Sequence, residues 1–399
     1  MNLQFLTAFG DHVSLSQFKP DDTISTLAFS SDGQFLASGD NAGRVVFFKI
    51  GQGHKPTVSF ATQTHAHKAE FDYFRSELSE MKVNSLKWIP CQTMNHLLLS
   101  CNSHDAKLWR FITDTRISWN DFDESQEFDT FVFPTPRQVD NKYSTECIRT
   151  FFDTQIEYIV DLQTLSDQKS FLMVDISCVK LWDIERQVSS VCLCKVSQQD
   201  PEITTSGVDP RNPSTFIVGD DFGFCKLFDI RQQAEDLTPI FDIDTHNYSS
   251  QHMQLDGCEC VGSIAFSHEG NYFAVRRFGD VQIWDVRNVS SPAAKLDVQW
   301  FPNKMNWLIE DDYVKDQFRT TFTPKGKVVT GCYSADFMTW DWKNQKTSQH
   351  KAVSARMPRL PPEVGSDFNK RVTVCEAHPT EEVVAVVSTA ALFLFYEPK

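Results

Sequence analysis

Cysteine and histidine pairs come closest to reactive or metal-binding spacing. Cys192-Leu-Cys194 and Cys258-Glu-Cys260 are C-x-C pairs, whereas a zinc knuckle spaces its ligands by two or more residues. The first pair falls in an alternating stretch, which predicts a strand carrying both thiols on one face, and buried thiols rather than ligands. His65 and His67 share the same spacing but have no further ligand beside them. There is no Gly-rich phosphate loop, no nucleophile elbow and no paired-histidine zinc motif. Acids abound, yet no pair is marked out for general acid–base work. The sequence therefore predicts no catalytic residue, no metal ligand and no cofactor, although an enzyme that gathers its residues from distant segments carries no such motif either.

The composition narrows the partners. Of 399 residues, 38 are Lys or Arg and 53 are Asp or Glu, a net charge of −15. Nucleic acid and acidic membranes carry negative charge themselves, so neither is an expected partner; basic partner segments are. A hydrophobic fraction of 41% with 13% aromatic belongs to a folded chain, and the 33 Phe suit β packing. No apolar run reaches the roughly 18 residues of a membrane span, and Met1–Gly10 lacks the basic start and apolar stretch of a secretion signal. Eleven irregularly spaced Cys read as reduced thiols of a cytoplasmic or nuclear protein.

What must position any function is a repeat. Ile24–Phe29, Gln34–Gly39 and Arg44–Phe48 form a unit of three short strands separated by turns. Six further copies follow, and their third strands close on Trp109, Trp182, Phe228, Trp284, Trp340 and Phe395. Four copies end in Trp-Asp or Phe-Asp, at Asp183, Asp229, Asp285 and Asp341. That is the signature of a WD-repeat blade, a four-stranded sheet that buries its two faces only by stacking on neighbours. The expected fold is all-β: a single seven-bladed propeller over residues 1–399, with the strand Leu3–Phe9 completing the last blade and removing the open edge.

Closing aromatics stand 46 to 73 residues apart, more than the roughly 40–45 of an ordinary repeat. Function is expected in the excess, which lies between blades. In Gly51–Lys82, Phe71, Phe74 and Leu78 sit at i, i+3 and i+7, which predicts about two helical turns. Ile112–Ile148 follows the second blade. Its segment Thr113–Thr130 has six acids against Arg116, interleaved with Trp119, Phe122 and Phe128 and followed by Phe131 and Phe133; a protruding hairpin that docks on another protein is expected. Residues 343–370, between blades six and seven, hold Lys343, Lys346, Lys351, Arg356 and Arg359 and read as a basic loop.

Several of these segments resemble one family. His67-Lys-Ala-Glu-Phe-Asp-Tyr-Phe74, followed by Val83-Asn-Ser-Leu-Lys-Trp-Ile-Pro90, is similar to the H-E-P-E-F-D-Y-L…I-N-K-I-R-W-L-P stretch of the 55-kilodalton regulatory B subunit of protein phosphatase 2A. Ile24–Phe29 with Gly39–Val46, and Asp367-Phe-Asn-Lys-Arg371 with His378-Pro379, resemble that family's first blade and ending. The resemblance runs in order along nearly the whole chain.

It implies a non-catalytic regulatory subunit that binds a helical-repeat scaffold subunit and a phosphatase catalytic subunit. It implies recruitment of phosphoprotein substrates, for which an acidic surface favours basic flanks. Scaffold docking would fall on Trp119, Phe122, Phe128, Phe131 and Phe133, the family's arm on Glu70, Phe71, Asp72 and Tyr73, and the substrate groove on Glu157, Tyr158 and Asp175. The groove departs from the family, since Val174-Asp175-Ile176 keeps one acid where the family has two. Gln155-Ile-Glu-Tyr158 stands where the family has His-Thr-Tyr-His. A generic WD-repeat platform in another complex is the alternative reading.

Overall fold

Short β-rich repeats joined by tight turns cannot bury two sheet faces alone, and here each finds its partner in the next repeat. The computed structural model describes residues 3–10, 19–72, 76–90, 96–119, 136–186, 191–196, 200–232, 237–249, 258–298, 305–310, 313–352 and 370–398. Among them, seven antiparallel four-stranded sheets form the blades, together with one two-stranded ribbon. Blade 1 runs Ile24–Phe29, Phe35–Asp40, Arg44–Gly51 and Thr57–His65. Blades 2 to 6 begin at Ser85–Ile89, Ile159–Thr164, Ile203–Val208, Val261–Phe266 and Thr320–Phe322. Blade 7 is Val372–Ala377, Val383–Ser388 and Ala391–Tyr396, with Gln4–Gly10 as its fourth strand, antiparallel to Ala391–Tyr396.

First strands of successive blades touch one another all the way round, blade 7 meeting blade 1, so they ring a central channel. In most of them the ladder slips between the first and third residues. The bulge lets the intervening residue reach the next blade: Ser25 Oγ donates to Val83 O (2.5 Å) and Thr204 Oγ1 to Val261 O (2.6 Å).

Closing aromatics fill the wedges between blades. Trp182 packs with Phe151 of blade 2, and Trp284 joins Ile217 and Leu227 of blade 4. Trp340 meets Ala274 and Ile283 of blade 5. The Asp after each aromatic caps the turn that follows: Asp183, Asp229 and Asp285 accept from the backbone N–H two residues on, at 2.7–2.9 Å, and Asp341 from that of Asn344 at 3.2 Å.

Two expectations need correction. The two helical turns expected from Phe71, Phe74 and Leu78 are replaced, in the described residues, by paired strands Phe71–Asp72 and Glu77–Leu78, Phe71 opposite Leu78; Phe74 lies outside the described residues. Ser76 turns the chain with φ 58°, outside the right-handed helical range. The basic segment is not a loop from its start either, because Lys346–Lys351 is the outer strand of blade 6. Its residues 353–369 lie outside the described residues.

Removing a wedge ring should cost more than any surface change. Trp284→Ala empties a fully buried site and is expected to lower unfolding free energy by about 3–5 kcal/mol, read as a shift in denaturant midpoint. Asp229→Ala, at an exposed turn, should cost about 1 kcal/mol.

Candidate functional site

Blade 2 carries the two most distinctive additions, one at each end of its third strand, Asp105–Trp119. That strand pairs with Pro136–Phe152 along its whole length, but its pairing to the inner neighbour His96–Cys101 stops at Phe111. From Ile112–Ser144 to Trp119–Pro136 the ladder is a bare two-stranded ribbon, about 24 Å long at some 3.4 Å per residue. Such a ribbon is marginal in water unless something covers it. Its root is fixed by aromatic packing, with Tyr143 stacked on Phe111 (5.6 Å between centroids) and both touching Phe35. Trp119 ends the ribbon opposite Pro136; Phe122, Phe128, Phe131 and Phe133 lie outside the described residues.

The other end of the strand belongs to the opposite rim. There His67, buried, lies 2.9 Å through Nδ1 from Asp105 Oδ1 and 2.9 Å through Nε2 from Ser100 Oγ, which also accepts from Trp109 Nε1 (3.0 Å). Burial pushes the Asp105 carboxyl up, but His67 and then Lys107 outweigh it and hold it below its ordinary value. Ser, His and Asp thus stand in the order of a hydrolytic triad. The chemistry is nonetheless structural: Ser100 and His67 are buried, and the indole bond occupies the hydroxyl that would attack. The network locks the segment between blades 1 and 2 onto blade 2. Ala66 N and His67 N both donate to Gly43 O, and a Cβ on Gly43 would meet His67 O at 2.1 Å.

The arm rises from this lock. Glu70 and Ser79 close its base by two hydrogen bonds, Glu70 N to Ser79 Oγ (3.0 Å) and Ser79 N to Glu70 O (2.8 Å). Phe71 and Leu78 are 48% and 66% exposed, an apolar pair held out in water. Asp72 faces Glu77 across the ribbon, and Tyr73 is outside the described residues. Just beyond the arm, Glu80 accepts from Tyr158 Oη (3.3 Å) through its carboxylate and from Asn102 Nδ2 (3.0 Å) through its carbonyl. The arm and the Glu157–Tyr158 loop therefore share one rim, the one opposite the long ribbon. Burial and the Glu80 charge raise the Tyr158 phenol above its ordinary value, so it stays a neutral donor.

Asp175 has a different place. It is 1% exposed, and its carboxylate accepts from Tyr158 N (2.5 Å) and Ser177 Oγ (2.8 Å). It pairs with Ile159 as Asp40 does with Ile24 and Asp220 with Ile203. In those blades the Asp caps the turn to the third strand. Asp175 shapes the Tyr158 loop from below, leaving Glu157, Glu80 and Tyr158 on the rim above it.

The cysteine and histidine pairs split. Cys194 and Cys258 are buried, Cys192 is exposed and Cys260 half-buried. Burial pushes the Cys258 and Cys260 thiols up to about 11, far from the thiolate a nucleophile needs. Among the described residues no group of His, Cys, Asp and Glu could hold a metal ion.

The chain is thus a WD-repeat β-propeller with a ribbon on one rim of blade 2 and an arm on the other. Known proteins agree on the class. The chain superposes on the β-propeller domain of Cps50 (Swd1) from Myceliophteria thermophila, with a TM-score of 0.59 over 93% of this chain and 96% of that one; at 14% identity the likeness is one of fold. No protein-family model matches the chain. It is similar to the regulatory B subunit of protein phosphatase PP2A from Candida tropicalis, 27% identical over 365 residues, which span 85% of this chain and 71% of that protein. The resemblance drawn from the sequence is borne out as a similarity to that regulatory subunit over 85% of this chain.

Sequence reasoning overlooked Glu80, Asn102 and the His67 network. A histidine shortly before a blade, a Ser in its second strand and a Trp in its third were the available signal. Ser100→Ala should cost about 1–3 kcal/mol of stability by orphaning His67 and the Trp109 N–H, while a serine-directed phosphonate should leave Ser100 unlabelled in the native protein. Labelling at Ser100 would contradict its structural role.

Proposed function

We propose that this chain is the regulatory subunit of a serine/threonine protein phosphatase 2A holoenzyme. On this reading it does no bond-breaking. The long ribbon docks on the scaffold subunit, and the opposite rim, with the arm, Glu80, Glu157 and Tyr158, presents phosphoproteins to the catalytic subunit. Tethering raises the substrate's effective concentration at another subunit's metal site. A net charge of −15 favours substrates with basic flanks and makes recruitment salt-sensitive. The observation that carries the reading is the ribbon continuing from Ile112 to Trp119 without a third strand, in a chain related along 85% of its length to a regulatory B subunit of PP2A.

A second reading, an interaction platform in another complex, draws on Asp175. With both oxygens engaged internally, it offers a substrate little. Affinity purification separates the two: main partners that exclude phosphatase subunits would favour the platform.

The ribbon offers the direct test. Replacing residues 114–142 by Asn-Gly joins Thr113 to Tyr143, which already face each other, through a two-residue turn. The variant should keep the melting temperature within a few degrees and weaken its affinity for the scaffold by about 100-fold or more. Unchanged affinity would remove the ribbon from the interface, and no micromolar association of the unaltered chain with the scaffold would sink the assignment. The chain alone should not turn over a phosphopeptide.

A further inference from the structure

The first strands enclose a polar cavity of about 250 Å³ along the propeller axis, the volume of roughly eight waters. Lys87 of blade 2, Arg319 at the start of blade 6 and Glu376 of blade 7 line it. Arg319 reaches across the channel, donating from Nη2 to Asn84 O (3.1 Å) beside the first strand of blade 2. Lys82, two residues earlier, feels the Arg319 charge. Three cations thus converge from two blades on the channel mouth of the rim that carries the arm.

Their charges are not neutralised locally. Among the described residues no carboxylate lies within 4 Å of Lys82, Lys87 or Arg319. The channel's other acid, Asp161, accepts from Ser85 Oγ, the Leu162 N–H, Gln163 Nε2 and Ser206 Oγ at 2.8–2.9 Å. Glu376 faces Lys87 and Arg319 and makes no ion pair with either. In a chain of net charge −15 a cationic throat is a local inversion, and a cavity with low-dielectric walls concentrates its field.

We propose that the channel mouth framed by Lys82, Lys87 and Arg319 binds a phosphoryl oxyanion, with Glu376 as the group that competes for the same cations. Free phosphate and a phosphorylated side chain share this chemistry. The proposal does not depend on the phosphatase reading, because it rests on the channel alone.

Two shifts fit the arrangement. Desolvation pushes the Lys82 ammonium below its ordinary value, Glu80 pulling it up and Arg319 pressing it further down. Desolvation also raises the Glu376 carboxyl to about 7, with Lys87 and then Arg319 pulling against it. Near neutral pH Glu376 is half ionised. As pH falls from 8 to 6 it becomes neutral and the cations are released to an anion, so binding strengthens. The other ionisable side chains lining the cavity are Asp161, with its four donors, and His268, at the far end.

Equilibrium dialysis of the full chain with radiolabelled sulfate at constant ionic strength tests this, since sulfate stays a dianion throughout the range. Binding should be saturable and about tenfold tighter at pH 6 than at pH 8, the range across which a single group near 7 titrates. Arg319→Gln and Lys87→Met should each weaken it about tenfold. Glu376→Gln should bind at pH 8 as the unaltered chain does at pH 6 and lose the pH dependence. Because that variant gains affinity, misfolding cannot mimic it; His268→Gln, at the far end of the cavity, should leave the profile in place. A phosphoserine peptide that displaces sulfate where its unphosphorylated twin does not would identify a side chain as ligand, and displacement by inorganic phosphate alone would identify the free ion. No saturable sulfate binding at pH 6, or a Glu376→Gln profile like that of the unaltered chain, would overturn the proposal.

Discussion

Six residue pairs, from Gln4–Tyr396 to Gly10–Ala391, join the two ends of the chain in one sheet. Every other blade is built from one continuous stretch of sequence, so this is the ladder in which the chain closes the row of sheets into a ring. Without it blade 7 keeps three strands and an open edge. The closure also constrains its last residue. Gly10 adopts φ +94°, and a Cβ there would lie 2.3 Å from Ala390 O, so only glycine lets the strand finish against the turn before Ala391. On the other side of the seam His378 Nε2 lies 2.9 Å from Gly33 O, a further tie between blade 7 and blade 1.

Ring closure explains which features were legible. A closing aromatic recurs because each wedge between blades needs filling, and wedge filling is a volume requirement that hydrophobic side chains display openly. The fourth strands were mostly invisible for the opposite reason. Lys346–Lys351, Lys-Thr-Ser-Gln-His-Lys, is an outer strand with little to bury, so composition marks it as a loop while the free edge of Asp336–Asp341 makes it a strand. The arm failed differently. Phe71, Phe74 and Leu78 fit a helical face, but two cross-strand pairs and one left-handed residue, Ser76, suffice for a hairpin, and no short-range pattern distinguishes the two.

The candidate site was legible in part. The ribbon's root lies where the sequence marks an insertion, because departures from a periodic pattern are themselves a signal, whereas Tyr158 is marked only by the resemblance. The resemblance assigns Asp175 by its neighbours along the chain, whereas in the structure its contacts follow from register. The same position holds Asp40, Asp220 and, in blade 5, Arg277, opposite Val261. There the guanidinium donates to the carbonyls of Thr245, Cys258 and Glu259. One position thus supports an inter-blade turn with either sign of charge, provided every hydrogen bond is met.

A rigid ring also settles what the two additions can do together. The ribbon and the arm leave opposite ends of one blade, and the His67–Ser100–Trp109 network fixes the arm's base to the strand that continues into the ribbon. On the proposed reading, a partner on the ribbon and a partner at the arm would be held at a set separation, the length of Asp105–Phe111 plus the ribbon. Orientation at one rim would then be passed to the other through a continuous β-ladder rather than a flexible linker, the arrangement that tethering two macromolecules at reacting distance requires.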